Sequence, residues 1–354
     1  MPAPATEPTA RTPYRPHRAR LLGGQAQLYD LLLDGLLAHE GHIRLPRGTT
    51  GSQVQPLLEH IRQENPLALF EGARVVRCYA FGPAGTFSTL EVRYRTDAAE
   101  LQQLMQQAAR DALHHCGGPE AGEAALALRF HDRLAAQCRY VPDATLAHEA
   151  AGALVYGEAV CDGIAKAYKL LCDEAGILCA VVTGSNGGLH AWNVARVAGH
   201  WAHVDVTDDL ALPRSCGAKQ RAAGNRVTGG ADDKSADISR AYFGLSDREL
   251  FPGRSIDQPC PACPHNLGLY RSLGLHAKDP AQLASLCRQQ FERGRNAFEV
   301  QLGSEFPRSA DAPAQTGDSL LAVVGASLLQ AGRSGRVQLS SRRPGVVRVT
   351  VQDS

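Results

Sequence analysis

The chain has 354 residues, 44% of them hydrophobic and 21% charged, which is enough for a sizeable core and more than one domain. Lys plus Arg number 37 and Asp plus Glu 36, so the net charge of +1 gives no overall field selecting nucleic acid or an anionic membrane. No apolar run approaches the roughly 20 residues of a membrane span, and the ten scattered cysteines read as no disulfide framework, which fits a reducing cytosol.

Residues 1–20 are rich in Pro, Ala, Thr and Arg and lack an apolar centre, so they read as a disordered tail and not as a secretory signal. Residues 21–118 form a predicted N-terminal α+β domain. It opens with a helix over 25–40 carrying Leu28, Leu31, Leu32 and Leu36 on one face. A short helix follows around 54–64, stopped near Pro66, then a hairpin of 74–81 and 89–95. In its second strand Leu90, Val92 and Tyr94 alternate with charges, so one face is buried. A helix over 98–115 carries Leu101, Leu104, Met105 and Ala108.

The central segment, 119–255, begins after a Gly117–Gly118–Pro119 break with a long helix over 122–139. It continues into the Cys161 region, with strands near 179–183, 190–197 and 201–207. The polar, Gly-rich stretch 208–241 is a surface loop or a lid. Residues 256–304 form a linker and helix, with a short strand at 297–302. Residues 305–354 hold a helix over 318–331 and a hairpin in 336–351. The two ends of the chain both mix helix with hairpin, but their sequence likeness is too weak to relate them.

Three residues stand in contexts suited to nucleophilic catalysis. Cys161 precedes the helix-forming run IAKAYKLLCDEAG, which Gly176 stops. It therefore lies at a helix N-terminus, where free N–H groups and the dipole favour a thiolate and can hold an oxyanion. Gly163 in the first turn permits close approach of another backbone or of a substrate. A lone Cys here would be read as a buried structural thiol. HAWNVARV and WAHVDVT flank Ala198–Gly199, a tight hairpin turn. That register sets Trp192 opposite Asp205 and Val194 opposite His203, which makes His190 and Asp205 diagonal neighbours on one face. Alone, His190 would be a satisfied half-buried histidine and Asp205 a strand-end residue. Together with Cys161 they make a nucleophile, a general base and the carboxylate that orients it. His203, two residues before Asp205, is a rival base, ranked second because nothing downstream of it on the hairpin reads as a carboxylate that would orient it.

At these residues the sequence resembles the transglutaminase-like superfamily, and within it the bacterial transglutaminase-domain proteins of the cysteine-peptidase type. The matching segments are GEAVCDGIAKA (157–167), Ala175–Gly176–Ile177, His190–Ala191–Trp192–Asn193 and WAHVDVT (201–207), with HDRLAAQCRY (131–140) and YFGLSD (242–247) as flanks. The likeness covers 122–250 well and 25–115 loosely. It implies a catalytic domain over 119–255, with a papain-like α+β core in which the helix carrying Cys packs on an antiparallel sheet. It carries over Cys161 as nucleophile, His190 as base and Asp205 as orienter. Trp192 and Asn193 are candidates for substrate contact. One departure is that Asp208–Asp209 follow Thr207 directly, where relatives often have Trp-Asp-Asp.

Cys260, Cys263 and His265 in CPACPH have metal-ligand spacing, with Cys216, His276 or Cys287 as the only fourth ligand in view, so they are weak candidates for zinc. GSNGG (184–188) is a gate or a plain β-connection. No nucleotide fingerprint appears and no cofactor is expected. The partner expected is a peptide or protein substrate. The leading reading is a peptidase or amidase working through a Cys161 thioester. A transglutaminase with an amine acceptor and a non-catalytic peptide-binding module are the alternatives.

Overall fold

The computed structural model describes residues 13–79, 86–210, 238–306 and 313–352, with the backbone alone at 313–318. The chain divides into two compact units. The first is Met1–Leu210 with Leu245–Asn266, and the second is Ala211–Gly244 with Leu267–Ser354.

The first unit opens with α1 (Gly23–Leu37), β1 (His42–Arg44), α2 (Gly51–Glu64), the hairpin β2 (Gly72–Tyr79) and β3 (Thr86–Arg93), and α3 (Ala98–His115). The three strands form an antiparallel sheet in the order β1-β3-β2. Helices α1 and α2 cover it, burying Leu28, Leu32, Leu36, Leu58, Ile61 and Leu90. Leu31 and Leu104, expected inside, are 38% and 43% exposed. The buried stripes pass through Tyr29 and Leu33 in α1 and through Ala109 and Ala112 in α3 instead. Residues 1–12 of the expected tail lie outside the described residues. Residues 13–20 are pinned: Arg18 is paired with Asp30, and the Tyr14 carbonyl accepts from Lys169 Nζ at 3.1 Å.

The site-bearing part begins with α4 (Glu123–Gln137). A two-stranded parallel pair follows, β4 (Arg139–Tyr140) with β5 (Glu158–Ala159), and between them lies a π-helical turn over Gly152–Tyr156. Next come α5 (Cys161–Glu174), β6 (Cys179–Ser185), β7 (Leu189–Val197) and β8 (His200–Val204). The chain re-enters the unit at Leu245, the last residue of β9 (Phe243–Leu245), and adds α6 (Asp247–Leu250) and β10 (Ser255–Ile256). The antiparallel sheet runs β10-β6-β7-β8. Its register pairs Val194 with His203, as the hairpin predicts. Ala198 (φ 50°) and Gly199 (φ 82°) both take positive φ at the turn, the geometry whose twist matches the flanking strands. Helix α5 packs on β6 and β7, with α4 on its flank. Of the expected lid, residues 211–237 lie outside the described residues.

The second unit contains α7 (Leu269–Ser272), β11 (His276–Ala277), α8 (Pro280–Glu292), β12 (Ala297–Leu302), α9 (Pro313–Gln330), β13 (Arg336–Arg343) and β14 (Val346–Gln352). Its sheet order is β11-β12-β14-β13. Asp279 caps α8 by accepting from the Gln282 N–H at 2.8 Å. Leu283, Phe291, Phe298, Val300 and Val349 fill the core. Among the described residues no helix is long and apolar enough to cross a membrane.

Candidate active site

Cys161 is the first residue of α5, with Val160 in extended backbone as the N-cap. The helix begins there because Gly163 lets its first turn press against neighbouring chain. A Cβ on Gly163 would lie 2.3 Å from the Ala147 carbonyl oxygen and 2.9 Å from that of Glu149. The thiol is half-buried against Ala165, Val181 and Ala191. It meets His190, which stands near the start of β7. The strand and helix are tied by Asn193, whose Nδ2 donates to the Ala165 carbonyl at 2.9 Å.

His190 Nε2 lies 2.7 Å from Asp205 Oδ2. Asp205 is fully buried one residue past β8, and its Oδ1 accepts the Asp208 backbone N–H at 3.2 Å. Arg254, from the chain just before β10, donates Nη1–H to the same Oδ2 and Nη2–H to Asp208 Oδ2. The guanidinium also sits 5.4 Å from the Trp192 ring, and that ring stacks on His190 at 5.8 Å and 22°.

The electrostatics follow from these contacts. Burial drives the Cys161 thiol upward, but the His190 hydrogen bond and charge and the Ala191 and Asp162 N–H groups outweigh it, leaving the thiol below its ordinary value. Burial opposes the His190 imidazolium, yet Asp205, Cys161 and Asp208 push it up to about 9. Asp205 stays below the usual carboxylate range despite its burial, because His190 and Arg254 both favour its charged form. Asp208 is raised, by burial and by the Asp205 charge. Both directions favour the charged forms of the thiol and the imidazole when they meet.

The other sequence candidates fall elsewhere. Trp192 and Asn193 are each 1% exposed, and their polar atoms meet internal partners, so a substrate would not reach them in this form. His203 does have a carboxylate, Asp247 Oδ1 at 2.9 Å, supplied by α6 and not by the hairpin. What separates it from His190 is that its Nδ1 accepts the Trp192 indole N–H at 3.1 Å, so neither ring nitrogen is open. The same tautomer bears on metal binding. His203, Asp247 and Cys263 place ligand atoms within 4.8 Å of one another. The indole N–H holds the one lone pair of the neutral ring, so Nε2 carries the proton given to Asp247 and offers a metal nothing. His265 lies apart, its exposed ring edge-on to His200 at 5.6 Å. Where His190, Asp205 and Asp208 cluster, the Arg254 guanidinium already bridges the two carboxylates.

Sequence reasoning passed over Arg254 entirely, and it saw Asp208–Asp209 only as a departure from pattern. Asp209 is fully buried and binds His131 Nε2 at 3.1 Å, while His131 Nδ1 lies 3.1 Å from Asp132. Carboxylates placed directly after a strand-end Asp are the signal that a cation must stand opposite.

Residues 110–206, from within α3 to just past β8, match the family model described as the transglutaminase-like superfamily. That segment is similar to the transglutaminase-like core. No curated protein matches the chain. Among solved structures, a candidate cysteine protease from Cytophaga hutchinsonii is similar at 15% identity and TM-score 0.26, over 38% of this chain and 62% of that one. A structure described as a TGase is similar at 13% identity and TM-score 0.26, over 47% and 50%. A candidate protease from Parabacteroides distasonis ATCC 8503 is similar at 10% identity and TM-score 0.24, over 38% and 35%. The chain thus spans less than two thirds of each of these proteins.

Proposed function

We propose that the transglutaminase-like core hydrolyses a peptide or glutamine-type amide through a Cys161 thioester. The observation that carries this reading is His190 placed between the Cys161 thiol and the Asp205 carboxylate, at the N-terminus of α5. The Cys161 thiolate attacks the amide carbonyl carbon. His190, as imidazolium, gives its proton to the leaving nitrogen as the C–N bond breaks. The now neutral imidazole takes a proton from water, whose oxygen attacks the thioester. The carboxylic acid departs and the thiolate–imidazolium pair is restored. Asp205 holds the ring and stabilises its charge throughout. The free N–H groups at the start of α5, where Cys161 stands, supply an oxyanion donor in this scheme.

The test is the pH dependence of Cys161 alkylation by iodoacetamide, resolved by peptide mass spectrometry, in the wild type and in His190→Ala. Fast labelling near neutral pH that the variant loses supports the pair. Labelling at the rate of an ordinary thiol, indifferent to the variant, removes the enzyme and leaves the binding-module reading. Adding a primary amine to a turning-over peptide or glutamine substrate then separates hydrolysis from amine transfer, since both share the thioester.

A further inference from the structure

We infer that Arg254 and Asp208 form a charge pair that positions Asp205 and sets the proton affinity of His190. Both are positioning residues, and the inference rests on the proposed roles of Cys161, His190 and Asp205. Asp205 is 0% exposed, so its charge must be met by neighbours. Its Oδ2 receives two donors, His190 Nε2 at 2.7 Å and Arg254 Nη1. An arginine on that oxygen keeps the carboxylate ionised, but it also competes for the charge that stabilises the imidazolium. Asp208 answers this by taking the second guanidinium nitrogen. The three groups form a chain of alternating charge ending on His190. The Arg254 side chain is 4% exposed, so water screens its pairing with Asp205 little, whereas Asp208 at the outer end is 30% exposed.

The geometry is fixed from two further sides. The Asp208 backbone N–H binds Asp205 Oδ1, so the two carboxylates move together. Trp192 lies against both the guanidinium and the imidazole, and its indole N–H is anchored on His203, which Asp247 holds in turn. The charged and titratable groups facing His190 are therefore Cys161 from α5, Asp205 and Asp208 after β8, and Arg254 before β10. Tyr140 stands beyond Cys161, Asp209 beside Asp208, and His203 with Asp247 behind Trp192.

Charge control and simple bracing differ in sign. Removing the anion should lower the proton affinity of His190, and removing the cation should raise it. The test is imidazole NMR titration of the full chain, with the His190 signal identified by its loss in His190→Ala. Asp208→Asn is expected to lower the His190 midpoint by about one pH unit, a roughly tenfold fall in proton affinity. Arg254→Met is expected to raise it by a similar amount. Arg254→Lys, which keeps the charge, should hold it near the wild-type value, and the double variant Asp208→Asn/Arg254→Met should return toward it. The acidic limb of Cys161 alkylation should move in the same direction as each midpoint.

A midpoint that does not move, or that moves the same way in Asp208→Asn and Arg254→Met, overturns the inference. If Arg254→Met does not fold, the near-isosteric Asp208→Asn decides alone, and an unmoved or raised midpoint overturns it. Cys161 labelling as an ordinary thiol in the wild type would sink the proposed function and this inference with it. An activated Cys161 with unmoved midpoints would sink only this inference.

Discussion

His131 has no solvent exposure, yet both ring nitrogens face carboxylates, Asp132 and Asp209, each at 3.1 Å. Burial opposes its charged form, but those two partners push it up to about 9. A folded value above the ordinary 6.5 means that the stabilisation is complete below the unfolded value and is lost as pH rises through about 9. The shift corresponds to about 3 kcal/mol at most. Melting temperature is therefore predicted to fall between about pH 7 and pH 10, and the slope to flatten in His131→Gln. A variant with the wild-type slope would place the pH sensitivity elsewhere. The same logic separates what was legible among single residues from what was not. Cys161, His190 and Asp205 each have a plain structural reading alone, and it is their conjunction, a Cys at a helix start with a His and an Asp on one hairpin face, that singles them out. The hairpin offers His203 no carboxylate of its own to orient it, and the one it has, Asp247, arrives on α6. Arg254 is one arginine among many until Asp205 is seen, 49 residues away, accepting from it.

At the scale of elements, the site depends on how closely α5 approaches its neighbours. From sequence, Gly163 admits either another backbone or a substrate, and what lies against it is the segment carrying Ala147 and Glu149. Replacing Gly163 by Ala would bring a methyl against two carbonyl oxygens that cannot rotate away. A cost of about 1–3 kcal/mol is expected, together with slower alkylation of Cys161 as the first turn of α5 is displaced. Unchanged labelling in a folded Gly163→Ala protein would show that this close approach does not set the thiol's position. Gly184 has a parallel task. A Cβ there would lie 1.9 Å from the Ser255 carbonyl oxygen, where β10 pairs with β6. The GSNGG segment, read as a gate or a plain connection, thus begins with a residue that lets β10 dock one position after Arg254. Helix and strand placement was legible wherever apolar spacing was strong, as in α3, β7 and β8. The three-residue β1 and two-residue β10 are too short to carry a period and are visible only through their partners.

Across the whole molecule, the two ends of the chain repeat one topology. Helix, strand, helix and hairpin give the order β1-β3-β2 at the beginning and β12-β14-β13 at the end, the latter extended by β11. The sequences show only that both ends mix helix with hairpin, because many apolar sets satisfy one sheet order. Each end has its own core, so Phe291, 1% exposed and edge-on to Phe298 at 5.3 Å, belongs to the second unit alone. Phe291→Ala is predicted to cost that unit about 3–5 kcal/mol, read as lost hydrogen-exchange protection of β12. Full protection of β12 in the variant would refute the assignment of this ring to its core.

The first unit is discontinuous: the chain leaves it at Leu210 and returns at Leu245. This has a consequence during translation. Cys161, His190 and Asp205 have all left the ribosome's catalytic centre before Arg254 is made, so a nascent chain carries these three groups without the guanidinium that meets Asp205. A polypeptide ending at residue 206, where the family match ends, would bury Asp205 with His190 as its only ionic partner. Synthesis of the segment after Leu245 is thus the step at which the buried Asp205 carboxylate gains its guanidinium partner.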